Sequence, residues 1–241
     1  MIIELEMKLN SLYLYQILIN HFGKQNWWPV DGKYHEKNGT DPRFEIIVGA
    51  ILTQNTAWSN VEKALENLKS ERLLDIKIIS KLGEELLKKM IKPTGFFNQK
   101  ATRLKNLAEY LESKYSGNLD SFFNKELSEI KEELLSLNGV GPETADSILL
   151  YAGNQPIFVV DAYTKRICKR LPLNINPVYD EIQRYFQDNL LKKYKKNEIS
   201  QIYNELHALI VILGKTFCKS KPNCIRCPLE KCCNYSKKLT Q

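Results

Sequence analysis

The stretch Leu134-Leu135-Ser136-Leu137-Asn138-Gly139-Val140-Gly141-Pro142-Glu143-Thr144-Ala145 decides how this chain is read. A helix leads in, two glycines flank Val140, and Pro142 opens a second helix where its missing N–H costs nothing. Glycine allows a tight turn with positive φ and close approach of another backbone. The expected unit is helix, tight turn, helix, with the turn amides and the second helix's N-terminus facing outward. That arrangement suits a phosphate oxygen, and such a contact positions a nucleic acid without reading its sequence. Gly-x-Gly would equally serve an ordinary turn between packed helices. Weight comes from the context, because Asp161 follows Gly141 by 20 residues in Phe158-Val159-Val160-Asp161-Ala162-Tyr163.

Outward from the turn, apolar residues recur at three- and four-residue spacing almost everywhere. Leu9, Leu12, Ile17, Leu18 and Phe22 mark an opening helix, and Phe44–Leu52 a buried one. Val61, Leu65 and Leu68 mark another, as do Leu104, Leu107, Tyr110 and Leu111. Ile182, Tyr185, Phe186 and Leu190 form a further stripe, and residues 199–213 a long final helix with His207 on or near its apolar side. The one β-rich run, residues 157–160, is short and lies between helices. The fold class expected is all-α.

The chain has 241 residues, 43% of them apolar, and a formal net charge of +7. That composition belongs to a folded globular protein rather than a disordered one. No apolar run approaches the roughly 18 residues of a membrane helix, and Glu4, Glu6 and Lys8 precede the first long apolar stretch, so no signal peptide is expected. A cytoplasmic protein is the expectation. The positive charge is concentrated. From Gly214 onward, Lys215, Lys219, Lys221, Arg226, Lys231, Lys237 and Lys238 face one acid, Glu230, and five of the six cysteines share that tail. Four thiolates within some 16 residues suit a tetrahedral metal ion or a cubane cluster, and a reducing compartment disfavours disulfides. Cys168, isolated in a helical stretch, reads as a core thiol.

These motifs resemble the helix-hairpin-helix DNA glycosylase superfamily, in its endonuclease III branch and nearest the 3-methyladenine DNA glycosylase III type. The matching residues run from Trp27-Trp28-Pro29 through Leu52-Thr53-Gln54-Asn55-Thr56 and Gly95-Phe96-Phe97-Asn98-Gln99-Lys100 to the hairpin, Val160-Asp161 and the cysteine tail. The resemblance implies a two-lobed endonuclease III-like fold. A helical barrel of residues 36–156 would carry the hairpin, and residues 1–35 and 157–241 would form a second lobe with an iron–sulfur loop over 218–233. It implies a monomer acting on double-stranded DNA that holds a damaged base, in the cytoplasm with the nucleoid.

The same resemblance assigns roles residue by residue. Asp161 matches the carboxylate that stabilises the oxocarbenium-like sugar and orients water at C1′; a helix cap is its structural alternative. Glu143 occupies the position where bifunctional members carry the lysine that attacks C1′, and a carboxylate cannot form a Schiff base. A monofunctional enzyme with absent or weak lyase activity follows, unless Lys165 or Lys169 substitutes. Gly139, Val140 and Gly141 would hold the DNA backbone. Gln54 and Asn55 match the plug that fills the hole left by an extruded base, and Phe96 the wedge in the opposite strand. Trp27, Trp28, Pro29 and Phe44 are the base-pocket candidates, suited to a cationic alkylated purine such as 3-methyladenine.

Endonuclease III relatives hold a [4Fe–4S] cluster on cysteines spaced x6, x2 and x5. Here the spacing from Cys218 to Cys224 is one residue shorter, the x2 to Cys227 is kept, and Cys233 restores x5, leaving Cys232 spare. Zinc is the structural rival for the same thiolates. Uracil or mismatched thymine in G·T is the rival substrate class. A non-catalytic iron–sulfur DNA-binding protein is the rival from another functional class.

Overall fold

A computed structural model describes residues 9–239. Every regular element among them is helical, with no strand. By chain position the molecule comprises two compact units, Met1–Trp27 with Pro156–Gln241, and Trp28–Gln155. Residues 28–35 therefore pack with the hairpin-bearing unit rather than with the termini. None of the described helices is long and apolar enough to cross a membrane.

The terminal unit begins with α1 (Ser11–Phe22), capped by the Asn10 side chain, which accepts from the Tyr13 amide. Its other elements follow the second unit in the chain, as given below.

The unit Trp28–Gln155 contains α2 (Gly32–Asn38), α3 (Pro42–Leu52), α4 (Trp58–Ser70), α5 (Ile76–Lys81), α6 (Glu84–Ile91) and a 3₁₀ turn at Lys92–Thr94. It continues with α7 (Phe97–Tyr115), α8 (Leu119–Phe123), α9 (Leu127–Ser136) and α10 (Pro142–Ser147), which runs into a π turn at Ile148–Ala152. Helix α3 is buried on every side from Phe44 to Leu52. Helices α4 and α7 bury one face each, Val61, Ala64, Leu65 and Leu68 on α4, and Lys100, Ala101, Leu104, Leu107, Ala108 and Leu111 on α7. Leu134 of α9 and Val140 of the turn are buried too. Lys131 pairs with the buried Asp146 at 2.9 Å, a staple between the helices on either side of the hairpin.

The terminal unit resumes with α11 (Ala162–Arg170), α12 (Tyr179–Leu191), α13 (Ile199–Thr216), a 3₁₀ turn at Glu230–Cys232 and α14 (Asn234–Leu239). The β-rich run 157–160 is buried but forms no strand. Its backbone partners are side chains instead: the Phe158 amide donates to Gln187 Oε1 at 2.9 Å, and Gln183 Nε2 donates to the Phe158 carbonyl at 2.6 Å. Buried peptide groups need partners, and two amides of α12 supply them without a sheet. Phe158 stacks on Phe186 at 4.5 Å and meets Tyr203 edge-on, which centres this core on the segment leading into Asp161.

Candidate active site

The hairpin is a real turn with one demanding residue. Gly139 has φ +81°, whereas Gly141 is in ordinary extended backbone and caps α10. Pro142 takes the first helical position. A Cβ on Gly139 would run into the side chain of Arg103, which lies across the turn from α7. The Val140 side chain points into the core and its amide donates to the Leu137 carbonyl at 3.1 Å. Val140 thus holds the turn's shape. Glu143 is exposed in the first turn of α10, where a carboxylate suits the helix electrostatically.

Gln54 and Asn55 separate in the structure. Gln54 Nε2 donates to the Gly139 carbonyl and to Thr144 Oγ1, both at 3.0 Å, and its Oε1 accepts from Arg103 Nη1 at 2.5 Å. It is a fastener of the hairpin. Asn55 is exposed and holds φ +53°, which asparagine tolerates better than most residues. Phe96 is 66% exposed at φ +46°, between Gly95 (φ +64°) and α7. An exposed aromatic on strained backbone is held there at some cost, the opposite of what a core phenylalanine shows.

The pocket candidates divide as well. Trp28 is half-buried, edge-on to Trp58 and Tyr151 at 5.2 Å each. It lies so close to Gly49 that a Cβ there would sit 2.9 Å from its ring. Trp27 is half-buried at the end of the terminal unit's first segment, and Pro29 is exposed. Phe44 is 1% exposed inside α3. Its neighbours in α3 from Glu45 to Leu52 are buried as well, so the ring lies within the packed helix.

Asp161 caps α11. Its Oδ1 accepts from the Thr164 amide at 2.7 Å and the Thr164 hydroxyl at 2.8 Å, while Oδ2 lies 3.7 Å from His207 Nε2 on α13. Burial alone would raise its pKa, but the adjacent His207 ring and the Thr164 hydrogen bonds prevail and hold it below the usual carboxylate range. The residue is only 8% exposed. Lys165 is exposed, with its ammonium over the Tyr179 ring at 5.3 Å.

At the far end of α11, Arg170 Nη1 donates to Cys218 Sγ at 3.1 Å and to the Lys219 carbonyl at 2.7 Å, while Arg166 donates to the Cys218 carbonyl at 2.8 Å. Cys218, Cys224, Cys227 and Cys233 all line one small cavity of about 30 Å³, which Cys232 does not line. None of the six cysteines is in a disulfide. Among the described residues no three His, Cys, Asp or Glu side chains meet closely enough to hold a single ion. Four thiols lining one cavity are a donor set of the kind that an iron–sulfur cluster or a zinc ion takes.

A family model, described as HhH-GPD superfamily base excision DNA repair protein, matches residues 48–192, from α3 through Asp161 into the end of α12. The chain belongs to this superfamily. A putative DNA repair glycosylase of Methanocaldococcus jannaschii is 46% identical over 95% of this chain and 98% of its own length. An endonuclease III of Rickettsia felis is 30% identical over 83% of this chain and 90% of its own. Among solved structures, a Helicobacter pylori 3-methyladenine DNA glycosylase bound to 1,N6-ethenoadenine is similar, with TM-score 0.68, 29% identity, and coverage of 86% of this chain and 98% of that one. The expected all-α, endonuclease III-like fold is thus what this HhH-GPD chain adopts, and DNA glycosylase activity on a DNA partner is what the family does. The sequence did not single out His207, Arg103, Trp58 or Tyr151 for the site.

Proposed function

We propose that this HhH-GPD protein is a monofunctional DNA glycosylase that releases an alkylated purine of the 3-methyladenine type and leaves an abasic site. The observation carrying it is the combination of a buried, ionised Asp161 with a carboxylate, Glu143, where bifunctional relatives carry lysine. Asp161 Oδ1 is committed to Thr164, so Oδ2 is the oxygen for the developing oxocarbenium or its water. A base that already bears positive charge leaves without help from a general acid. Trp27 and Trp28 offer the aromatic faces that attract such a cation, and the similar H. pylori enzyme is a 3-methyladenine glycosylase.

A release assay across duplexes bearing a 3-methyladenine analogue, hypoxanthine, uracil, 8-oxoguanine and a G·T mismatch tests the reading. Release of the alkylated purine with no borohydride-trapped adduct is expected. Release confined to uracil or thymine would overturn the substrate, and binding without any release would make the chain a DNA-binding protein only.

The same reading gives Cys218, Cys224, Cys227 and Cys233 a [4Fe–4S] cluster. When bound, it supplies a crosslink that folds the basic tail into a surface for DNA phosphates. Brown protein with four irons per chain is expected; colourless protein with stoichiometric zinc would overturn the assignment.

A further inference from the structure

Lys100 is 1% exposed, on α7 in register with Leu104, Leu107 and Leu111. Among the described residues no carboxylate pairs with it. Its ammonium donates instead to two backbone carbonyls, Leu52 at 2.8 Å and Thr94 at 2.9 Å. A buried lysine without a counter-ion is uncommon, because desolvating the charge is costly. Burial, with Arg103 nearby, pushes this one down to about 8. Neither carbonyl belongs to ordinary core. Leu52 is the last residue of α3, so its carbonyl is one that the helix leaves unsatisfied, at the end that favours a cation. Three residues later comes Asn55 at φ +53°. Thr94 ends the 3₁₀ turn, and two residues later comes Phe96 at φ +46°. One ammonium thus ties the stems of two strained loops that are 42 residues apart in the chain.

We propose that Lys100 is a positioning residue that couples the Asn55 loop to the Phe96 loop, so that plug and wedge enter the duplex as one body. This rests on the reading above that both loops enter DNA. Two independent loops would each have to find the distorted duplex; clamped to one buried group, they are ordered before binding. A displacement of about 1 Å at such groups can cost about 100-fold in rate.

The test uses full-length holoprotein and a duplex carrying a tetrahydrofuran abasic site, with 2-aminopurine stacked beside the orphaned position of the opposite strand. Its fluorescence reports unstacking and requires no base release. Wild type should brighten the probe, and Phe96→Ala should abolish most of that change. Lys100→Met should do the same while keeping helical content and affinity for undamaged DNA. In the double variant, Lys100→Met should add less than about threefold to the base-release defect of Phe96→Ala, since coupled residues are non-additive. Full multiplication of the two single defects, or unchanged fluorescence in Lys100→Met, overturns the proposal. If Lys100→Met does not fold, Lys100→Gln repeats the cycle, its amide serving one carbonyl. If neither folds, Lys100 is structural and the proposal is overturned. Absence of base release from every lesion, with the fluorescence pattern intact, would overturn the glycosylase reading alone.

Discussion

Nε2 of His207 lies 3.7 Å from Oδ2 of Asp161, across 46 residues of sequence. Burial raises the carboxyl's pKa, and the His207 ring with Thr164 lowers it further than burial raises it. A lowered folded pKa means that Asp161 stabilises the fold above its unfolded pKa, and that this contribution is lost as pH falls through the folded value. Ionised Asp161 is also the form that can stabilise an oxocarbenium. His207→Leu removes the larger opposing influence, so burial should raise the carboxyl's pKa. The acidic limb of single-turnover base release should move to higher pH. An unmoved limb would show that His207 does not set this charge.

Asp161→Asn separates chemistry from capping. Asparagine is also a favoured cap, so its Oδ1 should keep the Thr164 amide and the fold should hold. Base release should fall by about 100-fold or more, with DNA affinity largely intact. Asp161→Ala should lose the reaction and, in addition, about 1 kcal/mol of thermal stability. Calorimetry and single-turnover kinetics on the two variants check both halves.

Gln54 and Asn55 should behave differently although they are neighbours. Gln54→Ala frees the Gly139 carbonyl and should destabilise the hairpin unit by about 1 kcal/mol, a shift that urea denaturation reads directly. Asn55→Gly suits the positive φ and should leave stability unchanged while slowing base release. Equal stability losses in both would mean that Asn55 is structural as well.

The helices were legible because most bury one stripe, and the hairpin because few contexts place Gly139, Gly141 and Pro142 together after an apolar helix. Phe44 was harder to place, because α3 is buried all round and periodicity does not distinguish its sides. Lys100 carried a usable signal: it falls in step with Leu104, Leu107 and Leu111, where a cation does not belong. Its partners, like those of Gln54 and His207, lie 48, 85 and 46 residues away respectively, or are backbone carbonyls that no residue type announces. Local sequence shows which face a residue takes, not what it meets there.

Glu143 offers a gain-of-function test. It is exposed at the head of α10 and its side chain carries no part of the core. Glu143→Lys should therefore fold normally and place a primary amine where bifunctional relatives have theirs. Wild type with abasic-site DNA and borohydride should give no covalent adduct, and the variant should give one. Efficient trapping by wild type would point to Lys165 or Lys169 and end the monofunctional reading.

Cys232 and Cys233 are adjacent but not equivalent. Cys233 lines the cavity with Cys218, Cys224 and Cys227, and its Sγ lies 3.5 Å from the Arg170 carbonyl. Cys232 lies outside that cavity, with its Sγ 3.4 Å from the Leu229 carbonyl. Cys233→Ser should lose most bound iron and the associated visible absorption, whereas Cys232→Ser should keep both. The cluster would also lower the positive charge of the tail, since four thiolates and a [4Fe–4S]²⁺ core together carry a net negative charge. What remains is concentrated on one short segment, so wild-type affinity for DNA should fall steeply between about 50 and 200 mM salt. Loss of the fold in Cys233→Ser should flatten that dependence, because the lysines and Arg226 would no longer be held on one surface. A salt slope equal in both cysteine variants would show that the metal-folded loop is not where the phosphates bind.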